Sequence, residues 1–312
     1  MIIKLDKPNI LGESPIWNYF NNSYYWVDIE DHKIKKFDDY FFEYNIYQND
    51  RKIKPTCLAL IDSNKIFTVV EDGFGVYDFR KKNGFNYVFI PDFIDDNFKS
   101  NLRFNDGKCD RNGNLFIGTM DKNTPRKPIA SIYKLFCNFT IKPIINDIHT
   151  SNGISFSSDN KKIYFSDTPT RNLFFQKDRL NQFGKLTKDN SLNQNENIII
   201  PTDENGENNN LEYNPYRLHD GSTVDSSDNY YSCLYGGYGI DVFETNDSQF
   251  NYLRSINTKK RYTTSCCFGG QNLDKLFITS AYNNDNDNGS AIIKEMDVTG
   301  IKETPINLNF TN

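Results

Sequence analysis

Only three histidines occur in the 312 residues and none stands in an H-E-x-x-H pair; a G-x-S-x-G elbow and a Walker loop are missing too. These absences remove the usual signatures of zinc peptidases, serine hydrolases and phosphate-loop enzymes. The six cysteines, at 57, 109, 137, 233, 266 and 267, form no Cys-x-x-Cys pair. They read as free core thiols in a reducing compartment, and adjacent Cys266 and Cys267 would point to opposite faces of a strand. No apolar run reaches the length of a membrane span, and Met1-Ile-Ile-Lys-Leu-Asp-Lys has neither a long apolar core nor a small-residue cleavage site. A cytoplasmic chain with no membrane partner is expected. Basic runs do not exceed the triplets Arg80-Lys81-Lys82 and Lys259-Lys260-Arg261, and 41 acidic residues outnumber 36 basic ones. Nucleic acid is therefore not an expected partner. Nothing in the sequence marks an oligomeric state.

Sustained helical periodicity is also lacking. In its place stand 25 Phe and 19 Tyr against 3 Met, a β-favouring balance, and a short pattern that returns six times. Its copies begin at Glu13, Thr56, Asn105, Asn152, Asp220 and Thr264. Each runs into a polar turn (18–23, 62–65, 110–114, 157–162, 225–229 and 269–275) and then an aromatic or β-branched strand, which is the hairpin signature. The spacings are 43, 49, 47, 68 and 44 residues, close to the roughly 40 to 50 residues of one four-stranded blade. The pattern predicts an all-β, six-bladed β-propeller with a central channel, a single domain over residues 1–312. An Asn- and Glu-rich insertion at about 181–217 lengthens the fourth spacing; it would lie over the channel mouth as a lid, or as a loop without function. Ile2-Ile-Lys-Leu is placed to pair with the strand at 291–298 and close the ring. Gly236-Gly-Tyr-Gly reads as a tight blade turn.

The first strand of every blade lines the channel, so residues opening these strands meet at one mouth. Glu13, Asn105, Asn152 and Asp220 would converge there, and they offer only oxygen, which suits a hard divalent cation. Taken singly, each is also explained as a polar residue at a strand start. Four in register, with Gly following at Asn105-Asp-Gly, Asn152-Gly and Asp220-Gly, favour a metal site. His219 reads as a solvated loop residue, although it stands where it could orient Asp220 or shuttle a proton. Asp106 and Asp147 read as turn-forming or strand-capping residues.

Glu13-Ser-Pro, Arg103-Phe-Asn-Asp-Gly-Lys, Gly118-Thr-Met, Ser151-Asn-Gly, Asp220-Gly and Thr263-Thr-Ser-Cys-Cys-Phe-Gly-Gly together resemble the regucalcin (senescence marker protein), gluconolactonase and luciferin-regenerating enzyme-like family, from about Leu11 to Ala281. The resemblance implies a six-bladed propeller with one divalent metal, calcium or zinc with manganese or magnesium also possible, that hydrolyses sugar lactones. It implies Glu13, Asn152 and Asp220 as metal ligands, Asp220 also as general base, and Arg103 and Asn105 as the substrate-binding pair. Asn123 is the nearest match to a third substrate contact, which is often acidic in the family, and His219 stands where the family commonly has Pro. Other readings of the same channel are a related esterase or phosphotriesterase, and a non-catalytic calcium-binding or interaction propeller.

Overall fold

The computed structural model describes residues 2–177, 217–246, 249–282 and 289–309. Apart from Arg217, the expected insertion lies outside the described residues. Six antiparallel sheets form the blades of a six-bladed β-propeller, and a seventh, two-stranded sheet, Tyr47–Gln48 with Arg51–Lys52, lies in the connection from the first blade to the second. The inner strands are Gly12–Asn18, Pro55–Leu60, Leu102–Cys109, Ser151–Phe156, Leu218–Val224 and Thr263–Gly269. Each is paired to a second strand across one of the polar turns expected from sequence.

Those turns form where an aspartate can satisfy the backbone locally. Asp62 Oδ1 accepts the N–H of Asn64 and Lys65 at 2.7 and 2.8 Å. Asp110 Oδ1 holds the N–H of Asn112 and Asn114, both at 2.9 Å, and Asp225 Oδ1 those of Ser227 and Asn229 at 2.8 and 2.9 Å. Between blades the aromatics interlock. Tyr24 stacks on Phe277 at 4.5 Å, joining the first blade to the sixth, while Phe74 meets Phe104 at 4.9 Å between the second and third. All six cysteines are free, and Cys266 and Cys267 enter different core clusters, as opposite faces of a strand require.

The ring is closed by the N-terminal strand. Ile2–Asn9 pairs with Gly289–Glu295, Leu5 opposite Ala291, so the sixth blade is built from both ends of the chain. A buried ion pair fastens this strand to the first blade: Lys35 Nζ lies 2.8 Å from Asp28 Oδ2, both side chains 1% exposed. The same ammonium donates to the Pro8 carbonyl and to Asn9 Oδ1, while Asp28 accepts the N–H of Ile10 and Leu11. At the channel end opposite the motif residues the C-terminal segment crosses the ring. Gly300 N–H donates to Leu273, Ile306 to Leu60 and Asn307 to Gly113, each at 2.8 Å. Gly113 has φ +79, and a Cβ there would stand 2.6 Å from the Pro305 carbonyl oxygen. Glu303 on this segment reaches Lys108 at 3.4 Å inside the channel.

One helix, Asp96–Asn101, escapes the sequence pattern. It is too short for periodicity to register and is set by two local features: the Asp95 carboxylate caps Phe98 N–H at 2.7 Å, and Phe98 packs against Phe104.

Lys35→Met should lower stability by about 3 kcal/mol or more, because it leaves Asp28 charged and buried without its cation. A drop in the urea midpoint at constant slope is the expected reading; an unchanged midpoint would show that the ion pair does not hold the ring closed.

Candidate active site at the channel mouth

In all six blades the pairing of inner and second strands is interrupted at the repeated motif, between Glu13 and Ile16, Pro55 and Cys57, Phe104 and Gly107, Asn152 and Ser155, His219 and Ser222, and Thr263 and Ser265. An extra residue in a strand bends it and re-aims its side chains. Glycine makes this possible where blades approach closely. Gly153 has φ +60, and a Cβ on it would meet the Tyr230 hydroxyl and stand 3.0 Å from the Asp220 carbonyl oxygen.

The bulges join the mouth residues into one network. Asn105 Nδ2 donates to the Ser151 carbonyl at 3.0 Å and to Asn152 Oδ1 at 2.8 Å, while its Oδ1 accepts from Arg103 Nη1 at 2.9 Å. Asn152 Nδ2 donates to Thr168 Oγ1, and that hydroxyl donates to the His219 carbonyl, both at 2.8 Å. Each link fixes the next: the two carbonyls can only accept, so the amide nitrogens donate to this chain and Asn152 Oδ1 accepts from Asn105, which leaves one of its lone pairs unused. The chain runs from the third blade through the fourth to the residue before Asp220 on the fifth. Glu13 Oε2 accepts the Ser14 N–H at 3.1 Å on the first.

Electrostatically the mouth is crowded with carboxylates. Burial, then Asp220, then Asp106 push the Glu13 carboxyl well above its ordinary range, against the pull of the Ser14 N–H and Arg103. Burial and Asp106 do the same to Asp220, opposed by Arg126, the Gly221 N–H and Arg103. Asp106 is pushed up to about 6 by burial, although Ile154 N–H donates to its Oδ2 at 2.9 Å. Beneath the mouth lies a cavity lined by Ser14, Asp106, Lys108, Ser222, Ser265 and Glu303. Lys108, the cation nearest Asp106 there, is shared with Glu303.

These residues fit a divalent cation. Like-charged carboxylates packed together in a buried site are costly unless a positive charge offsets them, and the open donors, from Glu13, Asp220 and Asn152, are all oxygen. Among the described residues no three His, Cys, Asp or Glu side chains stand together as a metal-binding group, so the donor set here is two carboxylates with an amide oxygen.

The sequence model of the SMP-30/gluconolactonase/LRE-like region matches residues 11–282. The chain belongs to this family. Among relatives, YvrE of Bacillus subtilis, which carries the provisional name of a sugar lactone lactonase, is 28% identical over 284 residues, 90% of this chain and 86% of that protein. Human regucalcin is 26% identical over 278 residues, 86% and 83% of the two chains. A solved luciferin-regenerating enzyme has the same fold, with a TM-score of 0.81, 20% identity and coverage of 99% of both chains.

For this family member two expectations need correction. His219 is not a solvated loop residue: it is fully buried in the inner strand, its Nδ1 is 2.8 Å from Ser232 Oγ, and burial followed by Arg217 pushes its pKa down to about 3. It is neutral at physiological pH. Asp106 is not a turn or cap residue but a third carboxylate under the mouth; its place beside Asn105, in a run that the bulge rotates, is the one signal that points to it. Asn123 lies on the exposed 122–129 loop, its amide donating to Asp121 at 2.7 Å and Asn101 at 3.2 Å. His149 sits against Asp167, Nδ1 to Oδ2 2.9 Å.

Glu13, Asp106 and Asp220 all have raised pKa values in the fold, so their protonated forms stabilise it. That contribution is complete below the ordinary carboxylate range and is lost as pH rises through the folded values. In chelator, the melting temperature should therefore fall as pH rises from the ordinary carboxylate range through about 6, the value of Asp106, and Asp220→Asn should flatten the fall. A profile that rises over this interval, or is identical in the variant, would contradict the electrostatic account.

Proposed function

We propose that the chain is a metal-dependent lactonase that opens sugar lactones by attack of water on the ring ester. The observation that carries this reading is the hydrogen-bond chain at the mouth from half-buried Arg103 through Asn105, Asn152 and Thr168 to the residue before Asp220, next to the buried, mutually repelling Glu13 and Asp220 carboxylates. Membership of the family and the lactonase name of YvrE support it. Glu13, Asn152 and Asp220 would hold one divalent ion, through a donor set suited to calcium, magnesium or manganese and open to zinc. When bound, such an ion polarises the ring carbonyl and acidifies water.

The remaining chemistry falls to side chains. Asp220 takes the proton of the attacking water as the ring C–O bond gives way to a hydroxy acid. Arg103 donates from Nη1 to the Phe104 carbonyl and to Asn105, which aims its other N–H groups at substrate hydroxyls or at the developing oxyanion. Asn105 uses both amide hydrogens inside the protein, so its part is to align Arg103 with Asn152. Buried, neutral His219 supports the strand that carries Asp220 and moves no proton. The covered far end leaves the substrate to approach from the mouth. Six free thiols fit a reducing, cytoplasmic setting.

Protein stripped with chelator should lose gluconolactone hydrolysis above the spontaneous rate, and calcium, magnesium, manganese or zinc, titrated separately, should restore it to different extents. Asp220→Asn should lower kcat by about a hundredfold or more while calorimetry still detects the ion. Full activity in chelator would remove the metal from the reaction. Ion binding without turnover of any lactone would leave a calcium-binding propeller in place of the enzyme.

A further inference from the structure

The rim of the mouth carries a cation that the reaction so far does not use. Strand Leu115–Asp121 of the third blade pairs Met120 with Arg103 and Asp121 with Leu102, so the 122–129 segment leaves the sheet at the mouth, beside Arg103. Buried Asp121 staples this segment: its Oδ1 accepts the Asn123 N–H at 2.9 Å and its Oδ2 the Lys127 N–H at 2.7 Å. Lys122 N–H donates to the Asn101 carbonyl at 2.8 Å, and Pro125 and Pro128 restrict the backbone between. Arg126 is therefore carried on a pinned turn. Its side chain is exposed and has no hydrogen bond or ion pair among the described residues.

Across the ring, Tyr235 stands opposite Leu218 at the start of the inner strand that carries Asp220, at the same end of its blade as Asp121 opposite Leu102. There Tyr235 and Tyr262 are bridged through their backbones, with their rings tilted by 31° at 4.4 Å and the Arg261 guanidinium 5.4 Å from the Tyr262 ring. Nearby carboxylates are already matched. Glu30 pairs with Lys54 at 2.6 Å and, with Glu71, faces Arg103; Asp72 accepts from the Tyr87 hydroxyl at 2.8 Å. A divalent ion would offset Glu13 and Asp220, leaving Arg126 as positive charge without a carboxylate.

We infer that the mouth takes a lactone bearing an anionic group, a carboxylate or phosphate on the sugar-acid chain away from the ring ester, and that Arg126 binds this group. The inference rests on the lactonase reading and narrows its substrate class.

The test compares gluconolactone, its 6-phosphate and a glucaric acid monolactone with metal-loaded protein and with Arg126→Gln. One anionic lactone should exceed gluconolactone in kcat/KM by about tenfold or more, and the variant should lose most of that preference, falling far more on the anionic substrate. Phosphate and carboxylate are told apart by which lactone shows it. Calorimetry with the ring-opened products supplies a reading free of turnover: 6-phosphogluconate or glucarate should bind more tightly than gluconate, less so in Arg126→Gln and in high salt. Hydrolysis of gluconolactone with no anionic preference, or with a preference that survives Arg126→Gln, overturns the inference and leaves the lactonase reading standing. Should no lactone be hydrolysed, that reading falls, and the product titration decides whether Arg126 holds an anion.

Discussion

Closure of the ring is the constraint on which the site depends. The mouth residues come from the first, third, fourth and fifth blades, and no two neighbouring strands could assemble them alone. Pairing of Ile2–Asn9 with Gly289–Glu295 removes the free edges that a twisted row of sheets would otherwise expose. It also brings the first blade against the sixth, where Tyr24 and Trp26 pack on Phe277. The ammonium of Lys35 sits at that seam, hydrogen-bonded to both the returning strand and the blade.

Within the closed ring, the bulge common to the inner strands turns geometry into chemistry. It tips motif side chains toward the axis, and the Asn105, Asn152 and Thr168 hydrogen bonds then hold two amides in fixed orientation across three blades. The same convergence gathers Glu13, Asp106 and Asp220 into a space with too little positive charge to match them. A fold that concentrates carboxylates in this way is less stable than one with apolar residues in the same places, unless a cation shares the site. The C-terminal segment, with Glu303 on Lys108, covers the other end of the channel.

Most of the architecture was legible because it rests on local chemistry. Turn aspartates such as Asp62, Asp110 and Asp225 announce the hairpins, the repeat spacing counts the blades, and glycines after Asn152 and Asp220 mark positions where backbones crowd. The mouth residues were legible for the same reason, as register alone aligns them. Other features were not, because they depend on contacts between blades. Alternation along a strand places neighbours on opposite faces, but the bulge breaks that alternation, so the burial of His219 and the inward turn of Asp106 could not be read from their neighbours. The helix at Asp96–Asn101 is shorter than any period, and the course of the turn that carries Arg126 depends on the Asp121 staple.

The most direct test of the account is crystallographic: manganese soaked into crystals of the chelated protein, located by its anomalous scattering. The account predicts a single strong peak at the mouth, within about 2.5 Å of oxygen atoms from Glu13, Asn152 and Asp220. A mouth without a peak while manganese occupies other carboxylates, or a peak bound through Asp106 and Glu303 in the lower cavity, would contradict it.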